Sequence, residues 1–203
     1  MIRTFLFDLG NVLLHFSHER MWTQMAGVCG CAPEAMRRLL FEEKLQLQYE
    51  RGEFSEESFR HAFEHRFGVR IDAGAFYRAT ADIFTLNAPM LPILRSLRGQ
   101  GRRLVLLSNT CASHIRWVRE QFPVLAEFDD CVLSCDVGAV KPEPRIFDEA
   151  LRRIRCVPQE CVYTDDIAAY VSAGRERGLH GVVFTDAAAW QAELAQRGLD
   201  RDH

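Results

Sequence analysis

What this chain can fold into is constrained most by one stretch, Thr4-Phe5-Leu6-Phe7-Asp8-Leu9-Gly10-Asn11-Val12-Leu13-Leu14. Its first apolar run is short enough for a buried parallel strand, and Gly-Asn breaks it like a turn. Asp8 then stands at the carboxyl end of a strand, where open α/β sheets bind their ligands. The pattern recurs downstream. Residues 103–107 read as a strand ending in Ser108-Asn109-Thr110, and residues 160–164 as one ending in Asp165-Asp166. Residues 131–134 and 181–184 supply two more strands, and Lys141-Pro142 lies in the loop after the first of these. Helical patterns fall between them at 89–98, 114–121, 144–154, 169–177 and 187–196. Strands alternating with helices predict an α/β fold, a Rossmann-like doubly wound parallel sheet.

Residues 17–84 interrupt this regularity. They show no strand and several helical patterns. Ser17 suits the cap of a helix carrying Met21, Trp22 and Met25, and Pro33 suits a first helical turn. Ser55 is the clearest N-cap: Glu56 and Glu57 follow in the first turn, and Phe54 and Phe59 occupy the positions of a hydrophobic staple. A fourth helix is predicted over residues 73–84. The expected organisation is a core of residues 1–15 and 87–203, with an inserted α-helical bundle at 16–86.

Composition removes several function classes. A formal net charge of −3 in 203 residues calls for neither nucleic acid nor an anionic membrane. No apolar run approaches a membrane span, and the first strand begins too early to leave room for a signal peptide. Seven cysteines, in a chain too long to need staples, read as reduced thiols in the cytoplasm. Cys29-Gly30-Cys31 lacks the matching second pair of a zinc site, so it reads as structural.

The polar strand ends converge on one crevice. Asp8, Asp165 and Asp166 repel one another there unless a cation shares the site, and all-oxygen ligation suits Mg²⁺. A hydroxyl and backbone N–H groups opening a helix, at Ser108 and Asn109, make a phosphate seat. Lys141 supplies positive charge to the same anion. A hard cation, an anion seat, a lysine and a remaining carboxylate describe phosphoryl transfer with a carboxylate nucleophile.

Four motifs carry a family resemblance: Phe7-Asp8-Leu9-Gly10-Asn11-Val12-Leu13, Leu107-Ser108-Asn109-Thr110, Val137-Gly138-Ala139-Val140-Lys141-Pro142 and Tyr163-Thr164-Asp165-Asp166. In this order, with a helical insertion after the first, the chain resembles the haloacid dehalogenase superfamily, most of whose members are phosphatases. Within it the Asp-Leu-Gly-Asn opening is similar to bacterial sugar-phosphate phosphatases of the α-D-glucose-1-phosphate phosphatase type. The resemblance implies that Asp8 attacks phosphorus and that the helical insertion is a cap. It implies Mg²⁺ held by Asp8, the Gly10 carbonyl and Asp166, with Asp165 holding metal-bound water. Ser108 and the N–H groups after it would grip the phosphoryl oxygens, and Lys141 would neutralise charge. The expected partner is a small phosphorylated metabolite, and the expected assembly a monomer or small homo-oligomer.

Two positions depart from the family pattern. Most of its phosphatases carry a second Asp two residues after the nucleophile, which protonates the leaving alcohol; here that residue is Gly10. A replacement acid is sought at His15, near the expected hinge. Tyr170 stands where relatives usually carry a small polar residue. The Gly10 gap also fits a metal-independent 2-haloacid dehalogenase, since halide leaves without a proton. Both departures together fit a metal-binding regulatory domain without turnover. Trp22, Tyr49, Arg51, His61 and His65 are the polar-tipped residues of the insertion that face a pocket or pack in the bundle. His114 and Trp117 follow the anion loop and are candidates for the crevice floor.

Overall fold

The structure, a computed structural model, describes residues 1–199. Its strands are β1 (Thr4–Phe7), β2 (Leu14–Phe16), β3 (Phe84–Leu86), β4 (Arg103–Ser108), β5 (Asp130–Leu133), β6 (Cys161–Asp165) and β7 (His180–Val183). Five of them form one parallel sheet in the order β5-β4-β1-β6-β7. β1 is central and buried along its whole length, which is why its sequence is continuously apolar rather than alternating. Its register aligns Phe7 with Leu106 of β4 and with Thr164 of β6. One residue further on, Asp8, just past β1, and Asp165, the last residue of β6, lie side by side at the carboxyl edge of the sheet.

Helices cover both faces of the sheet. α6 (Met90–Gly99), α7 (Ala112–Gln121) and α11 (Ala187–Gln196) pack on the face that carries Phe5 and Phe7. α9 (Pro144–Arg153) and α10 (Ala168–Arg175) pack on the face that carries Leu6. Between β5 and α9 lies the single turn α8 (Ser134–Val137). Trp190 of α11 ties its layer to the site: its ring centroid lies 5.5 Å from that of Phe7, and its Nε1 donates to Thr164 Oγ1 at 2.9 Å.

The insertion is a helical bundle with its own apolar cluster. It contains α1 (His18–Cys29), α2 (Pro33–Arg37) running into a π-helical turn at Arg38–Glu42, α3 (Leu45–Glu50), α4 (Glu56–Phe67) and α5 (Ala73–Ala81). Ser17 caps α1 by accepting from Arg20 N–H, and Ser55 with Ser58 makes a capping box on α4. The staple pair Phe54 and Phe59 meet edge to face at 5.7 Å.

The expected helix over residues 73–84 is corrected. It ends at Ala81, because Asp82 adopts φ −78°, ψ 68° and leaves the helical path. Phe84–Leu86 then pairs antiparallel with Leu14–Phe16, Leu14 opposite Leu86 and Phe16 opposite Phe84. Entry to and exit from the bundle therefore run side by side as a two-stranded ribbon. Three residues are too few to display strand alternation, so the ribbon exists through its pairing rather than its pattern. All seven cysteines are free thiols, and Cys29 is buried in the bundle cluster with Cys31 packed against it. Among the described residues no helix is long and apolar enough to cross a membrane.

Candidate active site

The sheet delivers three groups to one buried point. Asp8 follows β1, Asp165 ends β6, and Lys141 arrives on the loop between α8 and α9. Lys141 Nζ donates to Asp8 Oδ1 and to Asp165 Oδ2, both at 2.6 Å, and to the Leu107 carbonyl at 3.1 Å. The Lys141 and Asp165 side chains are almost wholly buried and Asp8 nearly so. Local bonds fix each partner. Asp8 N–H donates to Thr164 O at 2.9 Å. Asp165 accepts from Tyr163 Oη at 2.6 Å and from Ile167 N–H at 2.9 Å. Asn109 Oδ1 accepts from Lys141 N–H at 2.7 Å, so the Asn109 side chain anchors the lysine loop.

Burial pushes the Asp8 carboxyl up to about 7; the Asp165 charge adds to the rise and Lys141 opposes it. Burial alone would lower the Lys141 ammonium, but the two carboxylates outweigh it and hold the group above its ordinary value. One lysine thus serves two aspartates, and a third, Asp166, stands beside them. Asp8, Asp165 and Asp166 each offer a carboxylate oxygen, all within 4.8 Å of one another. One ammonium does not balance three carboxylates. An all-oxygen cluster with a remaining negative charge fits a hard divalent cation, which would also favour ionised Asp8. Asn11 orients Asp166, donating from Nδ2 to Oδ2 at 3.0 Å. Its backbone sits at φ 54°, a left-handed conformation that Asn tolerates better than most residues.

Residues 2–178 match the haloacid dehalogenase-like hydrolases. The chain belongs to this family. It is 25% identical over 202 residues to D-ribitol-5-phosphate phosphatase of Bacteroides thetaiotaomicron, covering 96% of this chain and 97% of that protein. It is 28% identical over 150 residues to a sesquiterpene phosphatase of Aspergillus oryzae, covering 73% of this chain and 76% of the relative. Among solved structures, a haloacid dehalogenase family enzyme of B. thetaiotaomicron, in complex with magnesium and inorganic phosphate, superposes with a TM-score of 0.79 at 25% identity. That match covers 95% of this chain and 99% of the other.

The sequence-predicted residues of this hydrolase fall into two groups. Asp8, Gly10, Ser108, Asn109, Lys141, Asp165 and Asp166 all lie at the carboxyl ends of β1, β4 and β6 or on the lysine loop. Ser108 is buried, with Oγ donating to the Asn109 carbonyl at 3.4 Å. A cavity of about 50 Å³ opens beside Gly10, Ser108 and Asn109, and Phe16, His18, Glu50, Phe84 and His114 are among the other residues of its wall. It holds a few waters; pockets for whole small molecules run to about 300 Å³ or more.

The other residues named from the sequence fare differently. His15 is exposed on the ribbon and does not line this cavity; His18 does. His61 and His65 are exposed on α4. Trp22 packs edge to face on Phe41 at 5.7 Å. Tyr49 stacks on Phe59 at 4.1 Å and accepts from Ser113 N–H at 3.2 Å. Arg51 pairs with Glu143 of the core. Trp117 lies against Tyr77, outside the cavity wall. His114 does form part of the floor, its Nε2 bonded to the Thr80 carbonyl at 3.1 Å. Tyr170 places its ring centroid 5.3 Å from Lys141 Nζ. Sequence reasoning missed Glu50, Asn11 and Tyr163. Asn11 and Tyr163 lie inside quoted motifs and were within reach; Glu50 sits in a polar stretch with no signal of its own.

Proposed function

We propose that this protein is a Mg²⁺-dependent phosphatase that hydrolyses a small phosphomonoester, a sugar phosphate, through an aspartyl-phosphate on Asp8. The observation that carries the reading is the buried Lys141 bridging Asp8 and Asp165 beside a third carboxylate. Lys141 fixes Asp8 Oδ1, and its charge favours the anionic nucleophile. Ser108 and the backbone after it seat the phosphoryl oxygens. Asp8, the Gly10 carbonyl and Asp166 would hold the metal, and Asp165 would hold its water. When bound, Mg²⁺ supplies charge neutralisation between the nucleophile and the phosphoryl group. The magnesium and phosphate complex of the B. thetaiotaomicron enzyme and the polyol-phosphate specificity of the ribitol relative support this reading. So does the α-D-glucose-1-phosphate phosphatase-like opening at Asp8-Leu9-Gly10-Asn11.

Gly10 leaves the β1 loop without an acid. General acid–base catalysis contributes roughly 10²–10⁴-fold, or about 3–5 kcal/mol. Leaving groups that need less help, such as an anomeric hydroxyl, are favoured accordingly. In this reading residues 16–86 form a cap that closes over a core of 1–15 and 87–203 and selects the leaving group. The protein acts in the cytoplasm on a small phosphorylated metabolite, as a monomer or small homo-oligomer; its seven free thiols fit that setting.

The test is phosphate release from a panel of sugar phosphates, nucleotides and acetyl phosphate, with Mg²⁺ or with chelator. Metal-dependent release, with sugar phosphates leading, is expected. Halide release from 2-haloacids without metal, or Mg²⁺ binding with no release from any compound, would overturn the reading.

A further inference from the structure

The position of the missing acid is physically occupied. A Cβ on Gly10 would lie 2.7 Å from Phe16 Cε1, closer than side chains tolerate. The Phe16 ring is held in turn by His18 at 4.9 Å and Phe84 at 6.3 Å. An acid must therefore reach the crevice from another element. Three titratable groups of the cavity wall come into question: His18, His114 and Glu50. His114 has committed Nε2 to Thr80, and burial pushes it down to about 4. His18 lies between the Phe16 and Phe41 rings, and burial lowers it as well. Neither holds a proton well at neutral pH.

Glu50 is built differently. It ends α3, and the next residues are fastened to the core. Ser134 Oγ lies 2.6 Å from the Glu50 carbonyl and 2.9 Å from Thr110 N, linking the glutamate to the anion loop. Arg51 pairs with Glu143. Gly52, at φ 73°, packs so closely on the Cys135 carbonyl that a Cβ would collide with it. Buried Gln46 donates from Nε2 to Glu50 Oε1 at 2.8 Å. Among the described residues no hydrogen bond engages Oε2, which is left for a proton. Burial raises the carboxyl above its ordinary value, and the Gln46 bond and the Lys141 charge moderate the rise. Tyr170 and Cys111 also feel the Glu50 charge, and Cys135 and Asp136 lie on α8, which packs on α3.

We propose that Glu50 is the general acid–base of this enzyme, delivered by the cap in place of the carboxylate that Gly10 lacks. The proposal rests on the phosphatase reading. In the first step Asp8 bonds to phosphorus, the bond from phosphorus to the leaving oxygen breaks, and that oxygen takes the Glu50 proton. In the second, the Glu50 carboxylate takes a proton from water as the water oxygen bonds to phosphorus. The bond to Asp8 breaks, phosphate leaves, and Glu50 is again protonated. Since Glu50 reaches the crevice only with the cap docked, proton delivery is coupled to closure.

The experiment compares wild type, Glu50→Gln and Glu50→Asp with Mg²⁺ on an alkyl phosphate and on acetyl phosphate, whose leaving group needs no proton. Glu50→Gln is expected to lower the single-turnover rate of leaving-group release by roughly 10²–10⁴-fold for the alkyl phosphate and by less than about 10-fold for acetyl phosphate, and to slow hydrolysis of the aspartyl-phosphate equally after either. Glu50→Asp, which keeps the acid one methylene shorter, is expected to restore part of the alkyl-phosphate rate and carries the test if Glu50→Gln does not fold. The same loss in leaving-group release from both substrates, or no loss from either, would overturn the role of Glu50. Wild type releasing phosphate from neither would overturn the phosphatase reading, and this inference with it.

Discussion

The core and the cap bury their charges in opposite ways. At the strand ends of the core, Asp8, Lys141 and Asp165 are buried together and satisfy one another at 2.6 Å. The cap keeps ion pairs such as Arg37–Glu34 and Arg66–Glu43 at its surface, and its interior is a cluster of Met, Phe and Leu. Among the described residues, Glu50 at the α3 terminus is the acidic group of the cap that lines the crevice. Buried charge is costly unless paired, so the core spends stability on a preorganised reaction centre. The cap is held by apolar packing, and its Glu50 lines the cavity at the strand ends. On the function proposed above, this difference would put the nucleophile in the core and leaving-group choice and proton delivery in the cap.

Four perturbations sharpen or break this division. Lys141→Met should have the largest effect, since it leaves Asp8 and Asp165 facing each other without a cation. A stability loss of about 3 kcal/mol or more is expected in chelator, and a smaller one with Mg²⁺. Equal melting curves with and without metal would break the account of the core. Asp166→Ala should remove most of the Mg²⁺-induced stabilisation that wild type is expected to show, roughly 3 kcal/mol at 100-fold excess over Kd and read as a rise in Tm. An undiminished rise would move the metal away from Asp166.

His114 tests the joint between the two regions. Its pKa is about 4 in the folded chain against an ordinary 6.5, so the unfolded chain binds a proton that the folded chain refuses. Stability is therefore full above pH 6.5 and falls as pH drops toward 4, by up to about 3 kcal/mol in total. His114→Gln, which can still donate to the Thr80 carbonyl, should lose less Tm than wild type between neutral and acid pH. Parallel curves would count against the buried neutral imidazole. Tyr170→Asn should have the smallest effect. It removes a ring centred 5.3 Å from Lys141 Nζ, and a rate change of a few-fold is expected. A loss as large as that of Lys141→Met would mean that Tyr170 holds the lysine in place.

The same division explains what was legible in the sequence. An apolar run ending in a polar residue marks a strand end in an α/β sheet, so Asp8, Ser108, Asp165 and Asp166 could be placed before any coordinates. Lys141-Pro142 followed from its loop position and the family motif. The helices of the cap were legible through caps and staples at Ser17 and Ser55. Their orientation was not, because periodicity says which face is apolar but not what lies opposite the polar one. That is why the search for an acid went to His15, which is exposed on the ribbon, and passed over Glu50 in the polar stretch Gln46-Leu47-Gln48-Tyr49-Glu50-Arg51. The β2–β3 ribbon was missed for a related reason: its two strands are joined by pairing across nearly seventy residues, and neither carries a pattern alone. Phe16 on that ribbon then fills the space beside Gly10, a contact that no local reading of either segment contains.

The claim on which the rest depends is that Asp8 is the nucleophile. An acid-quenched single turnover with a sugar phosphate carrying radiolabelled phosphorus, in Mg²⁺, tests it directly. The account predicts label covalently held on the peptide containing Asp8, released by hydroxylamine as an acyl phosphate is, and absent from Asp8→Asn, which should also release no phosphate. Phosphate formed at the wild-type rate by Asp8→Asn, or label held stably on another residue, would contradict it.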